Sequence, residues 1–298
     1  MPGQRATDSP DNWLRVSGLN MKKKNNYLVF TDLDGTLLDH FNYQADAALT
    51  VINELKSRSI PIIPNTSKTF QEVQLICKEL QLNGPFIIEN GAAVYIPVNH
   101  FKVQPQGTVL ANGYWVKSFC QTRDYWLSLL AREAVQYSEN FIGFDALSAE
   151  QLAALTGLTI EKAKQAKTRQ YSEPLHWFGD TVEKSAFIKQ MEQFGANILQ
   201  GGRFLHVSGH CDKGQAQSWL SEQYQVNTPD KKVVSIALGD SDNDVAMLEA
   251  ANIAVQVRSP VHHFPDLKRQ TGIYRSRECG PAGWAECLSK IIFSQINQ

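Results

Sequence analysis

Residues Tyr27–Asp39 read YLVFTDLDGTLLD, and this stretch decides the fold. From Tyr27 to Thr31 every residue is uncharged and favours extended backbone, the pattern of a parallel strand buried on both faces, where side chains pointing either way must avoid water. Asp32 then stands at the strand's carboxyl end. Downstream, Ala48, Val51, Ile52 and Leu55 recur at helical spacing within Asp46–Arg58, and the run Ile60–Pro64 supplies the next strand. The spacing predicts a second helix over Thr69–Leu80 and a strand over Pro85–Glu89. Strand–helix alternation returns late in the chain: a helix over Gly214–Gln223, strand Val233–Leu238, helix Asp244–Ala250 and strand Ile253–Val257. Such alternation implies an α/β, doubly wound parallel-sheet core, with ligands gathered beyond the strands' carboxyl ends. Asp32, Thr66 and Asp240 all fall there.

Between Gly91 and about Arg203 the pattern breaks into turn-rich stretches, with helical segments around Asp124–Gln136 and Ser148–Leu155. This reads as an inserted α+β cap domain whose chain leaves and re-enters near the active face. The expected division is a loose tail over 1–26, a core over 27–91 and 204–298, and a cap over 92–203. No internal repeat appears.

Composition narrows the function classes. A formal net charge of -1 and no long basic stripe leave no electrostatic footprint for nucleic acid, so a small molecule is the expected partner. The run Lys22–Lys24 reads as a solvated flank. No apolar stretch is long enough to span a bilayer or to serve as a signal peptide, and the five cysteines form no C-x-x-C pair. They read as reduced thiols, and the expected location is the cytoplasm, with no membrane partner.

The strand-end residues supply what phosphoryl transfer needs: a nucleophile, a cation and donors for equatorial oxygens. Asp32 is the candidate nucleophile, able to form an acyl-phosphate, and Asp34 the candidate proton donor to the leaving oxygen. Gly35 lets the backbone turn tightly out of the strand. The string LGDSDND, Leu238–Asp244, again places acids after a buried strand. Such a cluster suits a hard cation in an oxygen shell, so Mg2+ is expected on Asp32, the main-chain oxygen of Asp34 and Asp240. Asn243 and Asp244 are expected as outer partners, with Asn243 also a candidate for phosphate; Asp242 reads as a turn or cap residue. Thr66, assisted by Ser67, and Lys213 at a helix start can donate to phosphate oxygens.

DLDGT, a strand-end threonine, a lysine before a helix and GDSDND together resemble the haloacid dehalogenase superfamily. The resemblance implies those roles for Asp32, Asp34, Thr66, Lys213 and Asp240. The segment between Asp34 and Pro64 is too short for a lid, so the lid lies between Thr66 and Lys213, an arrangement the superfamily shows in sugar-phosphate phosphatases. Finer strings narrow the resemblance: NTSKT (65–69), ENGAAVYIP (89–97), LTGLTIEKAKQAKTRQYSEP (155–174), GGRFLHVSG (201–209) and GPAGW (280–284) are similar to the mannosyl-3-phosphoglycerate phosphatases. That family more often has serine where Thr66 stands, and the extension Met1–Asn20 has no counterpart in it.

The resemblance implies hydrolysis of mannosyl-3-phosphoglycerate, or its glucosyl counterpart, to inorganic phosphate and a glycoside of the compatible-solute kind. Such a substrate carries phosphate, a carboxylate and a sugar. Arg169 and Arg203 are the candidate forks for the carboxylate, with Lys68 assisting. Asn90, Glu173, His176 and His206 are candidates for sugar hydroxyls, and Tyr171 or Trp177 for stacking. The plainer reading of Arg169 is an ion pair with Glu173 at helical spacing. Rival readings are another sugar-phosphate phosphatase, a phosphomutase, or a sensor without turnover. The sugar's identity and the oligomeric state stay open.

Overall fold

The computed structural model describes residues 25–201 and 203–293. The expected tail, with its lysine run, lies outside them except for Asn25 and Asn26, which open the first strand. In chain order the first part comprises β1 (Asn25–Thr31), α1 (Leu49–Ser57), β2 (Ile62–Pro64), α2 (Phe70–Glu79), β3 (Phe86–Ile88), β4 (Ala93–Pro97), β5 (Val109–Ala111) and β6 (Tyr114–Ser118). The middle holds α3 (Arg123–Glu133), β7 (Phe141–Gly143), α4 (Ala149–Thr156), α5 (Ile160–Ala166), β8 (Glu173–Trp177), α6 (Thr181–Gln193), β9 (Asn197–Gly201) and β10 (Phe204–Ser208). The last part is α7 (Lys213–Asn227), β11 (Lys232–Gly239), α8 (Val245–Ala250), β12 (Ile253–Arg258), β13 (Ile273–Cys279) and α9 (Gly280–Leu288).

The main sheet runs β13-β12-β11-β1-β2, with every pairing parallel. Its strands divide by parity: Val29, Ile62, Ile236 and Val255 pack into one core cluster, while Leu28, Phe30, Ile63, Ala237 and Ala254 pack into the other. Both faces are therefore dry, which is why these strands read as unbroken apolar runs. β2 is shorter than its apolar run because Pro61 has no amide hydrogen and joins the ladder only through its carbonyl, which accepts from Val29 N at 3.0 Å. α1 likewise starts later than its pattern, after a 3-10 turn over Asp46–Ala48.

β3 meets β2 through one parallel bridge, Asn65 with Ile87, and otherwise pairs antiparallel with β4. The ladder β3-β4-β6-β5 buries Val94, Ile96 and Trp115 in the same cluster as Leu28 and Phe30. The strands that open the expected insertion at residue 92 thus pack on the core layer. From α3 onward the middle of the chain packs separately: the antiparallel sheet β7-β8-β10-β9 carries its own cluster of Trp126, Leu175, Phe187, Met191 and Leu205. A satellite cluster of Phe144, Leu152 and Ala163 ties α4 to α5. The helix expected over Asp124–Gln136 stops at Glu133 and gives way to a 3-10 turn.

Candidate active site

Four strand ends and one helix start converge. Asp32 follows β1, and its carboxylate Oδ1 accepts from Lys213 Nζ at 2.7 Å; Lys213 opens α7 and also donates to Asp244 Oδ1 at 2.6 Å. Thr31 is fixed from behind, where Trp284 Nε1 on α9 donates to its hydroxyl at 3.1 Å. Asp240 follows β11. Its Oδ1 accepts from Thr36 Oγ1 at 3.0 Å, and its amide donates to Asp244 Oδ2 at 3.0 Å. Asp244 is fully buried, both oxygens engaged, while Asp242 is exposed.

Gly35 is required where it stands. Its φ of +79° is left-handed, and a Cβ there would lie 2.7 Å from Asp240 Oδ2. The turn therefore brings the backbone after Asp34 directly against the second acidic loop.

Oxygen atoms of Asp32, Asp240 and Asp244 all lie within 4.8 Å of one another. Burial pushes the Asp32 carboxyl up to about 8; Lys213 opposes this, and Asp244 and Asp240 add to it. Asp240 is also raised, by burial first and then by Asp244. Burial alone would lower the Lys213 ammonium, but the carboxylates of Asp244 and Asp32 outweigh it and hold it above its usual range. Three buried carboxylates facing one ammonium leave an excess of negative charge, and their hard oxygen donors fit Mg2+.

Asp34 sits at the rim, half-buried. Its Oδ2 is 2.7 Å from Lys68 Nζ, while its Oδ1 is buried with no hydrogen-bond partner among the described residues. Lys68, the candidate to assist the carboxylate forks, pairs with Asp34 and, at 4.0 Å, with Glu72. Thr66 is buried after β2, and its Oγ1 accepts from the Lys68 amide at 3.2 Å, which leaves the hydroxyl hydrogen free to donate. Asn90 and Asn243 meet across the rim, Nδ2 of Asn243 donating to Oδ1 of Asn90 at 3.3 Å.

The remaining residues divide. Arg169 reaches the site: Nη1 and Nη2 donate to Ser67 O at 3.3 Å, and Nη1 faces Glu89 Oε2 at 3.5 Å. Its anticipated partner Glu173 is elsewhere, fully buried, accepting from Arg123 Nε at 2.5 Å and Asp145 N at 2.8 Å. The helical-spacing pair does not form because residues 168–172 are not helical, with a bend at Gln170 and Tyr171. Arg203 is exposed, and its guanidinium donates to Leu155 O at 2.9 Å and Thr156 O at 3.1 Å, the open carbonyls at the end of α4. His206, on β10, is near Arg169, and burial together with that charge holds its imidazole down at about 3. His176 packs its ring against Phe178 and Phe204, Trp177 stacks on Phe141, and Tyr171 is buried with its hydroxyl on Ser118.

Sequence reasoning missed Glu89. The signal was available, because Glu89 follows β3 as Asp32 follows β1 and Asp240 follows β11.

The profile of a family described as haloacid dehalogenase-like hydrolase matches residues 29–262. A protein of Methanococcoides burtonii named glucosyl-3-phosphoglycerate/mannosyl-3-phosphoglycerate phosphatase is 36% identical over 91% of this chain and 99% of its own length. A protein of the same name from Persephonella marina is 32% identical over 89% of this chain and 97% of its own. Among solved structures, the sucrose-phosphatase of Synechocystis sp. in complex with sucrose and phosphate aligns with a TM-score of 0.56 over 89% of this chain and 97% of that one, at 15% identity. That last likeness is one of fold. Among the described residues no helix is long and apolar enough to cross a membrane.

Proposed function

The chain belongs to the haloacid dehalogenase-like hydrolase family, and from that premise we propose that it hydrolyses the phosphate monoester of a glycosyl-3-phosphoglycerate, mannosyl or glucosyl, through an aspartyl-phosphate.

In this reading Asp32 attacks phosphorus, forming an acyl-phosphate that water later opens. Lys213 has three hydrogens; two are committed to Asp32 and Asp244, and the third is left for a phosphate oxygen. Thr66 offers its hydroxyl hydrogen to another, with Ser67 and Asn243 at the rim. Asp34 delivers the proton. Its Oδ2 is held by Lys68, so the proton rides on the unpartnered Oδ1, passing to the departing alkoxide and returning from the water that cleaves the intermediate. Asp32, Asp240 and the main-chain oxygen of Asp34 would hold Mg2+, with Asp244 anchoring the loop behind them; when bound, the ion offsets charge on the phosphoryl oxygens and the carboxylates.

The observation that carries the substrate class is Arg169: a cap guanidinium seated on Ser67 O, its Nε without a partner among the described residues, beside the threonine proposed to hold phosphate. A planar fork there suits the carboxylate of a phosphoglycerate. The names of the two relatives support the same class.

Phosphate release tests it, measured on mannosyl- and glucosyl-3-phosphoglycerate, mannose phosphates and sucrose 6-phosphate, with and without Mg2+. The expected result is release from the glycosyl-3-phosphoglycerates well above the others. Equal rates on all would overturn the substrate assignment, and phosphoryl return to sugar without release would make the protein a mutase.

A further inference from the structure

The turn after β3 is left-handed at three consecutive residues: φ is +46° at Glu89, +60° at Asn90 and +92° at Gly91. For residues with a Cβ this conformation costs on the order of 1–2 kcal/mol each, so the surroundings must over-determine it. They do. Glu89 N donates to Lys68 O at 3.0 Å and Asn90 N to Thr66 O at 2.9 Å, while Gly91 approaches Asp212 so closely that a Cβ would lie 2.0 Å from its carbonyl oxygen.

The strained turn delivers the Glu89 carboxylate, wholly buried, to the segment 168–172 of the middle layer. Oε1 accepts from Gln170 N at 2.7 Å; Oε2 accepts from Tyr171 N at 3.3 Å and Ser172 Oγ at 2.6 Å. Oε2 also faces Arg169 Nη1 at 3.5 Å, and Ser172 Oγ accepts from the same nitrogen at 3.1 Å. A core carboxylate therefore fixes both the backbone on which Arg169 is mounted and the guanidinium itself. Arg169 Nε has no hydrogen-bond partner among the described residues.

Resting on the reading of Arg169 as the receptor of the substrate carboxylate, we propose that Glu89 is a positioning residue: it clamps residues 169–172 to the core and aims the Arg169 guanidinium, setting affinity for the carboxylate-bearing part of the substrate. It takes no part in phosphoryl transfer. Glutamine at this position would keep an acceptor but lose the charge and one acceptor oxygen, so the bend would be held less firmly and Arg169 would face the substrate in more than one orientation.

The test compares wild type, Glu89→Gln, Arg169→Ala and Ser172→Ala on glycosyl-3-phosphoglycerate and on para-nitrophenyl phosphate, which has no carboxylate. For Glu89→Gln the expected result is a KM for the glycosyl substrate raised about tenfold, kcat within about threefold of wild type, and unchanged kcat/KM on para-nitrophenyl phosphate. Ser172→Ala, which removes one bond of the clamp, should move the same KM in the same direction by less, and it carries the test if Glu89→Gln fails to fold. Equal losses on both substrates would reduce Glu89 to a structural ion pair and overturn the proposal, as would no change on either. If Arg169→Ala is selective for the carboxylate substrate while the clamp variants are not, Glu89 alone loses its role; if Arg169→Ala is not selective, the underlying reading of Arg169 falls.

Discussion

The ammonium of Lys213 stands 2.7 Å from Oδ1 of Asp32, and the two side chains are 0% and 7% exposed. A buried ion pair of this kind is held against a large desolvation cost, and here it is unequal, because Asp240 and Asp244 share the same pocket with Asp32. The charge excess shapes what each substitution should do.

Adding Mg2+ should raise the melting temperature as well as permit turnover, because an ion that binds only the folded carboxylate cluster stabilises it by mass action. Thermal scans across a Mg2+ titration, reversed with EDTA, check this. Asp240→Asn should shrink the Mg2+-dependent rise, and a metal-insensitive melting temperature in the wild type would contradict the site.

Asp32→Asn and Lys213→Met should both abolish turnover, but only the second should destabilise the fold. Asparagine keeps an oxygen for Lys213 while removing one buried negative charge, so its melting temperature should match or exceed wild type without metal. Methionine leaves three carboxylates with no ammonium, a loss of about 3–5 kcal/mol in denaturant unfolding. Equal destabilisation by the two would mean that the pair, not the charge excess, controls the pocket.

The strand ends were legible from sequence because each combines two local signals, an uncharged β-favouring run and a polar residue where it stops; Asp32, Thr66 and Asp240 converge as that rule requires. The cap side was not. Arg169 and Glu173 are spaced for a helical pair, yet their partners are Glu89 and Arg123, which only tertiary packing brings near. β13 also escaped detection, being an edge strand with most of its residues exposed and charged at Arg275, Arg277 and Glu278.

Gly91→Ala should cost about 2–5 kcal/mol, since it adds left-handed strain to a Cβ placed 2.0 Å from Asp212 O, and backbone cannot yield as a side chain does. Gly113→Ala is the control. It has a similar φ of +81° with nothing within 4 Å among the described residues, so it should show the conformational cost alone, about 1–2 kcal/mol. Equal losses in urea unfolding would mean that the contact with Asp212 is relaxed in solution.

Arg203→Ala should leave KM for the glycosyl substrate within about twofold of wild type and cost about 1 kcal/mol or less in stability, because its exposed guanidinium serves the open carbonyls ending α4. A tenfold rise in KM would instead place Arg203 on the substrate carboxylate, as its sequence context suggests.

His206 should contribute one part of the pH dependence of stability. Its imidazole is held at about 3 by burial first and by Arg169 second, against an ordinary value of 6.5. At pH above 6.5 neither the folded nor the unfolded form is protonated, and the group contributes nothing to pH dependence. Between 6.5 and about 3 the unfolded chain binds a proton that the folded one refuses, so stability falls as pH falls through that window. His206→Gln should therefore flatten the acid side of the stability profile while leaving its neutral side parallel to wild type. Unfolding free energies from urea titrations at several pH values give the comparison, and identical acid slopes in the two proteins would mean that His206 titrates near its ordinary value in the folded state, exposed to water and free of the Arg169 field.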